Sequence, residues 1–203
     1  MSIQLKDHPL GAAAGISIRG VPLTGMYPGQ VYWVNGSSVV MPGSVAGSDS
    51  NTGSYEAPFA TIDYAIGQCT ANRGDVIMVA PGYTQTVSAA AGIVADVAGV
   101  AIIGLGRGSL RPTITLDTAT TADIDISADN VMLSNFLFVA DLDAIVHCID
   151  VVSAKNVVIH ACEFKEGGAD KVFIDAIDVS STTDNDSDGL VVLDCIATSV
   201  DDR

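Results

Sequence analysis

The chain has 203 residues, a formal charge of −15 and 48% apolar residues, yet only 5% aromatics. That length suits one domain with appendages. The acidic balance repels phosphates, so no nucleic acid and no anionic membrane partner is expected. No stretch reaches the length of a membrane span and no signal pattern opens the chain, so synthesis in a cytoplasm is expected.

Met1–Gly29 is rich in Gly, Ala and Pro, and residues 1–48 carry only Lys6, Asp7 and Arg19 as charges. The remaining 23 acids and seven bases lie in residues 49–203. Residues 1–29 are too apolar for a solvated tail. They are expected to form an extended N-terminal arm that orders against another protein surface. Its interface residues are Leu10, Ile16, Ile18, Val21, Leu23 and Tyr27, joined by Tyr32 and Trp33 just beyond it, because aromatics anchor interfaces well. The plainer alternative is an ill-packed leader lying along the domain.

Residues 30–203 are expected to form that domain. Gln30–Asn35 has strand composition, and Gly36–Tyr55 is a Ser/Gly/Asn loop region. The period then becomes helical, predicting a short capping α-helix over about 59–71 with Ile62, Ala65, Ile66 and Cys69 on one face. Thr61 suits its N-cap, Asp63 its first turn, and Asn72-Arg-Gly74 its stop. Such a helix is expected to cover the open edge of the strands that follow.

From about residue 75 one phrase recurs. Asn130-Val-Met-Leu-Ser-Asn-Phe-Leu-Phe138, Asn156-Val-Val-Ile-His-Ala-Cys-Glu-Phe164 and Gly189-Leu-Val-Val-Leu-Asp-Cys-Ile-Ala197 each open on a residue that tolerates a left-handed bend. Each then alternates apolar positions, takes a polar corner and alternates again. Degenerate copies begin at Asp75 and Gly99, so the starts are 24, 31, 26 and 33 residues apart. Repeats of this length made of short strands define a solenoid. Thr113–Leu116, Asp123–Ile126, Ile145–Val152 and Val172–Val179 supply further strands. In Ile145–Val152 the inward set is open between Ile149/Val151 and Cys148/Asp150/Val152. Aligned repeats place Phe136, Cys162 and Cys195 in one inward column, where Cys acts as a small hydrophobe. Free buried thiols are expected, and with them a reducing compartment.

These residues resemble the pectin-lyase-like superfamily, in the short form found among bacteriophage virion proteins. The resemblance runs through Val31-Tyr-Trp-Val-Asn35, Gly47-Ser-Asp-Ser-Asn-Thr-Gly53, Ala57–Ile66, Gly74-Asp-Val-Ile-Met-Val-Ala-Pro-Gly-Tyr83 and Val100–Gly106, and covers about residues 30–200. It implies an all-β fold, a right-handed parallel β-helix whose N-terminal end is capped by the Pro-Phe-x-Thr-Ile helix. It further implies a virion structural protein, assembled in the host cytoplasm with other phage structural proteins of capsid or tail. A capsid decoration or cement protein anchored by the arm is the preferred form. A tail fibre or tailspike that binds or degrades surface polysaccharide is the alternative. Val200-Asp-Asp-Arg203 offers no capping helix, so that end must be covered by charge, by a partner subunit or by residues beyond this chain; self-association, threefold as in other phage β-helices, is the form expected.

Catalytic chemistry is poorly specified. A glycosidase needs two carboxylates across a cleft, and Asp117, Asp123, Asp125, Asp129, Asp141, Asp143, Asp175 and Asp178 are all available without one pair standing out. Among the elements of galacturonan hydrolases of this fold, only Asp201-Asp202 has a counterpart. Lys155, Lys165 and Lys171 could serve a lyase, but nothing selects among them, so no enzyme activity is expected. Asp184-Asn-Asp-Ser-Asp-Gly189 fits the first half of a calcium loop, with Asp184, Asp186 and Asp188 as ligands. Its twelfth position is Cys195 instead of Glu, so calcium is the one cofactor considered and a solvated acidic insertion the alternative. Asp49-Ser-Asn-Thr-Gly53 reads as a turn needing no metal, and Gly104-Leu-Gly-Arg-Gly108 as a coil corner in place of a phosphate loop.

Overall fold

The computed structural model describes residues 17–18, 21–22, 29–36, 41–180 and 186–199. Strands β1 (Ser17–Ile18) and β2 (Val21–Pro22) form a minimal antiparallel hairpin. Strand β3 (Val31–Val34) and helix α1 (Ile62–Gly67) build the N-terminal end. The first coil then holds β4 (Val76–Val79), β5 (Thr84–Val87) and β6 (Ile93–Ala95). The second holds β7 (Ala101–Gly104), β8 (Thr113–Leu116) and β9 (Ile124–Ile126). The third holds β10 (Met132–Ser134), β11 (Leu137–Ala140) and β12 (Ile145–Val152), and the fourth β13 (Val158–His160), β14 (Glu163–Glu166) and β15 (Phe173–Ser180). A last partial coil adds β16 (Val191–Leu193) and β17 (Ile196–Thr198).

Every full coil gives one strand to each of three parallel sheets. Sheet one runs β3-β4-β7-β10-β13-β16, sheet two β5-β8-β11-β14-β17, and sheet three β6-β9-β12-β15. The fold is therefore a right-handed parallel β-helix, as the repeat and the resemblance predict.

Sheet one opens at left-handed residues: φ is +76° at Gly99, +59° at Asn130, +55° at Asn156 and +81° at Gly189. At Gly189 the choice is also steric, since a Cβ there would lie 2.6 Å from Asn156 Oδ1. A second column of left-handed corners, Asn135, Ala161 and Asp194, turns the chain from sheet one to sheet two. Asn135 locks its corner by donating Nδ2 hydrogen bonds to the carbonyls of Gly104 (2.7 Å) and Gly106 (3.1 Å).

The core is a stack of thin layers. In sheet one Ile77, Ile102, Leu133 and Ile159 succeed one another in register and are buried. Phe136, Phe138 and Phe164 stack with ring centroids 6.1 and 5.3 Å apart, each contact adding about 1 kcal/mol beyond its area. Phe136 and Cys162 are buried and Cys195 partly so, as the aligned repeats require. All four cysteines are free. In β12 both sets of candidates contribute: Ile149 and Val151 point inward, but Cys148 is buried as well, while Asp150 stays on the outer face. A local break in alternation between Cys148 and Ile149 resolves the conflict.

The helix is shorter than its periodicity predicts, six residues in place of about thirteen. Thr61 caps it, accepting a hydrogen bond from the Tyr64 amide, and Ile62, Ala65 and Ile66 are buried. Cys69 lies past its C-cap, Gln68, in a turn that ends at left-handed Asn72.

Candidate functional site

Sheet three gathers acids on its outer face. The registers of β9, β12 and β15 set Asp125, Asp150 and Asp178 side by side on three successive strands, about 4.8 Å apart. Asp123 lies two residues before Asp125 and is only 6% exposed. Its carboxylate accepts from the Ala91 amide and sits 3.1 Å from His147 Nε2. Ser180 donates to Asp150 Oδ1 at 2.7 Å, answering part of the repulsion. Burial first, then the charges of Asp123 and Asp150, push the Asp125 carboxyl above its ordinary value, with His147 opposing. A raised carboxyl beside a second carboxylate has the makings of an acid–base pair. The three aspartates of the row lie on successive strands of one sheet face.

The other candidate carboxylates do not join this row. Asp117, Asp129 and Asp143 lie at coil corners, Asp141 pairs with Lys171, and Asp175 lies beside His147 in register but is exposed. Lys155 is at an exposed corner, its amide bonded to Asp129, and Lys165 is exposed on sheet two. Asp201-Asp202 falls outside the described residues.

Of the calcium candidates, Asp184 also lies outside the described residues, while Asp186 and Asp188 sit in the turn before Gly189. The Asp188 carbonyl accepts from the Asn156 amide at 2.8 Å, tying that turn to the coil below. Among the described residues no group of three His, Cys, Asp or Glu converges as metal ligands would. The turn belongs to a ten-residue connection between β15 and β16, where the three earlier connections into sheet one have five. Asp49 serves the fold instead. Its carboxylate accepts from the Ala60 and Thr61 amides and from Thr61 Oγ1, at 2.8–3.0 Å, fastening the loop to the start of α1.

Of the proposed attachment residues, Leu10, Ile16, Leu23 and Tyr27 fall outside the described residues, and Ile18 and Val21 are backbone register partners in the hairpin. Tyr32 and Trp33 have partners within the chain. Tyr32 packs on Phe59 and donates its hydroxyl to the Gln68 carbonyl, and Trp33 meets Tyr55 edge-on at 5.0 Å. Beside them an ion pair between a partly exposed Arg73 and a buried Asp75 holds the N-terminal end. Asp75 is fully buried and accepts from Arg73 Nε and the Thr70 and Gln30 amides, each at 2.7 Å. Burial alone would raise its carboxyl, but these hydrogen bonds outweigh burial and hold it below its ordinary value.

At the opposite end no described element covers the last coil. Val191, Leu193 and Ile196 are 40–56% exposed. A groove of about 280 Å³ opens between sheets two and three, lined by Phe164, Phe173, Ala176 and Ala197 among others.

No family model matches the chain and no curated protein matches it. Among solved structures it is similar to a rhamnogalacturonan lyase, at 17% identity and a TM-score of 0.45, over 84% of this chain. The match spans 56% of that protein's length. At this level the likeness concerns the β-helix architecture alone.

Proposed function

We propose that this chain is a bacteriophage virion structural protein, a capsid decoration or cement protein held by its N-terminal residues 1–29 and associated with further copies of itself. The observation that carries this reading is the shape of the described surface. It consists of flat ladders of Thr, Val, Met and Asp on three sheets, with chain-end contacts sealed at one end and open at the other. Ladders of this kind suit broad contact and display better than enclosure of a substrate. The virion resemblance supplies the setting, and a neutral arm before an acidic body supplies the means of attachment.

Immunogold labelling of intact particles tests the setting: gold on the head supports decoration, and unlabelled particles defeat the proposal. Deleting residues 1–29 is expected to abolish incorporation while leaving a strand-rich domain. A second reading, a tail fibre or tailspike acting on host polysaccharide, draws on the Asp123/Asp125/His147 group. Incubation with acidic and host-surface glycans, followed by reducing-end and unsaturated-product assays, tests it. Turnover lost in Asp125→Asn would establish that reading and displace the structural one.

A further inference from the structure

Sheet one carries a second group of polar side chains, assembled by strand register. Ser134 on β10 is the register partner of His160 on β13, and His160 that of Leu193 on β16. Ser134 and His160 each follow a buried, inward residue, Leu133 and Ile159, so both stand on the outer face. Ser134 Oγ lies 3.1 Å from His160 Nδ1. Asp194 holds the left-handed corner just after Leu193, at φ +53°, and brings Oδ2 to 3.5 Å from His160 Nε2. The same corner one coil earlier is Ala161, whose side chain has no polar group to compete for the ring.

We propose that Ser134, His160 and Asp194 form a nucleophilic site that cleaves short-chain acyl esters. A serine beside a histidine is by itself only a contact between neighbouring strands. The carboxylate at the other ring nitrogen gives the pair its direction. It favours the tautomer with the proton on Nε2, which leaves the Nδ1 lone pair to accept from the Ser134 hydroxyl. This is the order of an acyl-transfer relay, with the two ring nitrogens exchanged. Ser134 Oγ bonds to the acyl carbon as its proton passes to Nδ1. The bond from that carbon to the alcohol oxygen then breaks, and the alcohol leaves with the proton. Water attacks the acyl-serine next, giving a proton to Nδ1; the carboxylic acid departs as Ser134 recovers its hydrogen.

The surroundings select the substrate. Ser134 is 6% exposed, so only a small acyl group reaches its oxygen while the alcohol portion stays outside. Its neighbours on this face, Ile103 and Met132, are apolar and suit an uncharged ester, and a chain of charge −15 disfavours an anionic one. The Asn135 amide already donates to the His160 carbonyl, and its Nδ2 to Gly104 and Gly106. With those donors engaged, the gain expected is that of general-base activation, roughly 10²–10⁴-fold. This reaction is additional to the structural role above and independent of it.

The test uses the purified full chain, with p-nitrophenyl acetate as substrate and a fluorophosphonate to trap the nucleophile. The fluorophosphonate is expected to add to Ser134 of the unaltered protein, as located by peptide mass mapping, a result that needs no variant to fold. Ser134→Ala and His160→Asn should each slow turnover at least ~100-fold, with the strand circular-dichroism signal unchanged. Asp194 acts through His160 and is a positioning residue. Its side chain is 83% exposed, so water screens it, and Asp194→Asn should lower kcat only about 2- to 5-fold at constant KM. Asp194→Glu should recover part of that loss. His8→Asn should leave the rate as it was; a fall there would assign turnover to direct attack by another imidazole and overturn the proposal. No adduct at Ser134, or turnover indifferent to Ser134→Ala, His160→Asn or Asp194→Asn, overturns it equally. Because turnover is read on the purified chain, its absence is distinct from a failure to find the protein on particles.

Discussion

The two ends of this solenoid are finished in opposite ways. At the N-terminal end α1 lies over the first coil, Phe59 fits between Tyr32 and Tyr64, and Gly47 is pressed so closely that a Cβ would lie 1.7 Å from the Asn35 carbonyl oxygen. The edge of β3 is blocked, since the Trp33 amide donates to Gly53 and the Trp33 carbonyl accepts from Phe59. At the C-terminal end β15, β16 and β17 each keep an unpaired edge among the described residues, and side chains that would be core one coil earlier are exposed. Ile159 is buried, yet its register partner Val192 is 44% exposed. The same sequence phrase thus makes core or surface according to whether another coil follows it. A repeat cannot complete its own burial and depends on its neighbour.

The strongest way to break this contrast is to hollow out the sealed end. Phe59→Ala should cost about 3–5 kcal/mol, read as a shift in the urea midpoint. The thiols give a second measure that needs no substitution. Burial, then the nearby Asp75 charge, pushes the Cys69 thiol up to about 12, with Arg73 opposing; burial likewise pushes Cys162 to about 12 and Cys148 well above its ordinary value. Under native conditions Ellman's reagent should modify Cys195, at the open end, at least ~10-fold faster than the other three, since reaction requires exposed thiolate. Equal rates would mean that the open end is covered.

A smaller effect separates the N-terminal end from the acidic row by its sign. Asp75 has a lowered folded-state value, so its contribution is present above the unfolded carboxylate range and is lost as pH falls through the folded value. Asp125 has a raised value, so its ionised form costs stability at neutral pH, and acidification through that value recovers it. Asp125→Asn should therefore raise Tm by roughly 2 °C at pH 7, with the gain vanishing in mild acid. Asp75→Asn should lower Tm at pH 7, with the deficit shrinking as acid is added. The smallest change is expected at the bare end, where Ile196→Ala should stay within about 0.5 kcal/mol because the side chain is already 56% exposed.

The path of the chain was legible where a residue type has few uses. Asn130, Asn156 and Gly189 announced the entry to sheet one because they occupy left-handed backbone cheaply. Ala161 adopts the same conformation with no such preference, so only its alignment with Asn135 and Asp194 marks that corner. Strand β5, Thr-Gln-Thr-Val, leaves no signal in the sequence because its outward residues are polar and give too little apolar alternation. The helical period runs on past the helix because Cys69 fits its face although the chain has already turned at Gln68. Most instructive is the charge. Read along the chain, it separates a neutral beginning from an acidic remainder. Only strand register reveals that the acids of the remainder are sorted by face, leaving the outward positions of sheet one without an acid and crowding Asp125, Asp150 and Asp178 onto sheet three. The row was invisible in sequence because its members are 25 and 28 residues apart, and register alone makes them neighbours.

Trp33, the single tryptophan, stands on the outer surface of the first strand of sheet one. Its ring meets Tyr55 edge-on, and its backbone is bonded to Gly53 and Phe59. The protein thus carries its own optical reporter inside the sealed end, whose emission should move to longer wavelength when that end opens. Loosening of this end can accordingly be followed by intrinsic fluorescence, in a cuvette, without any label.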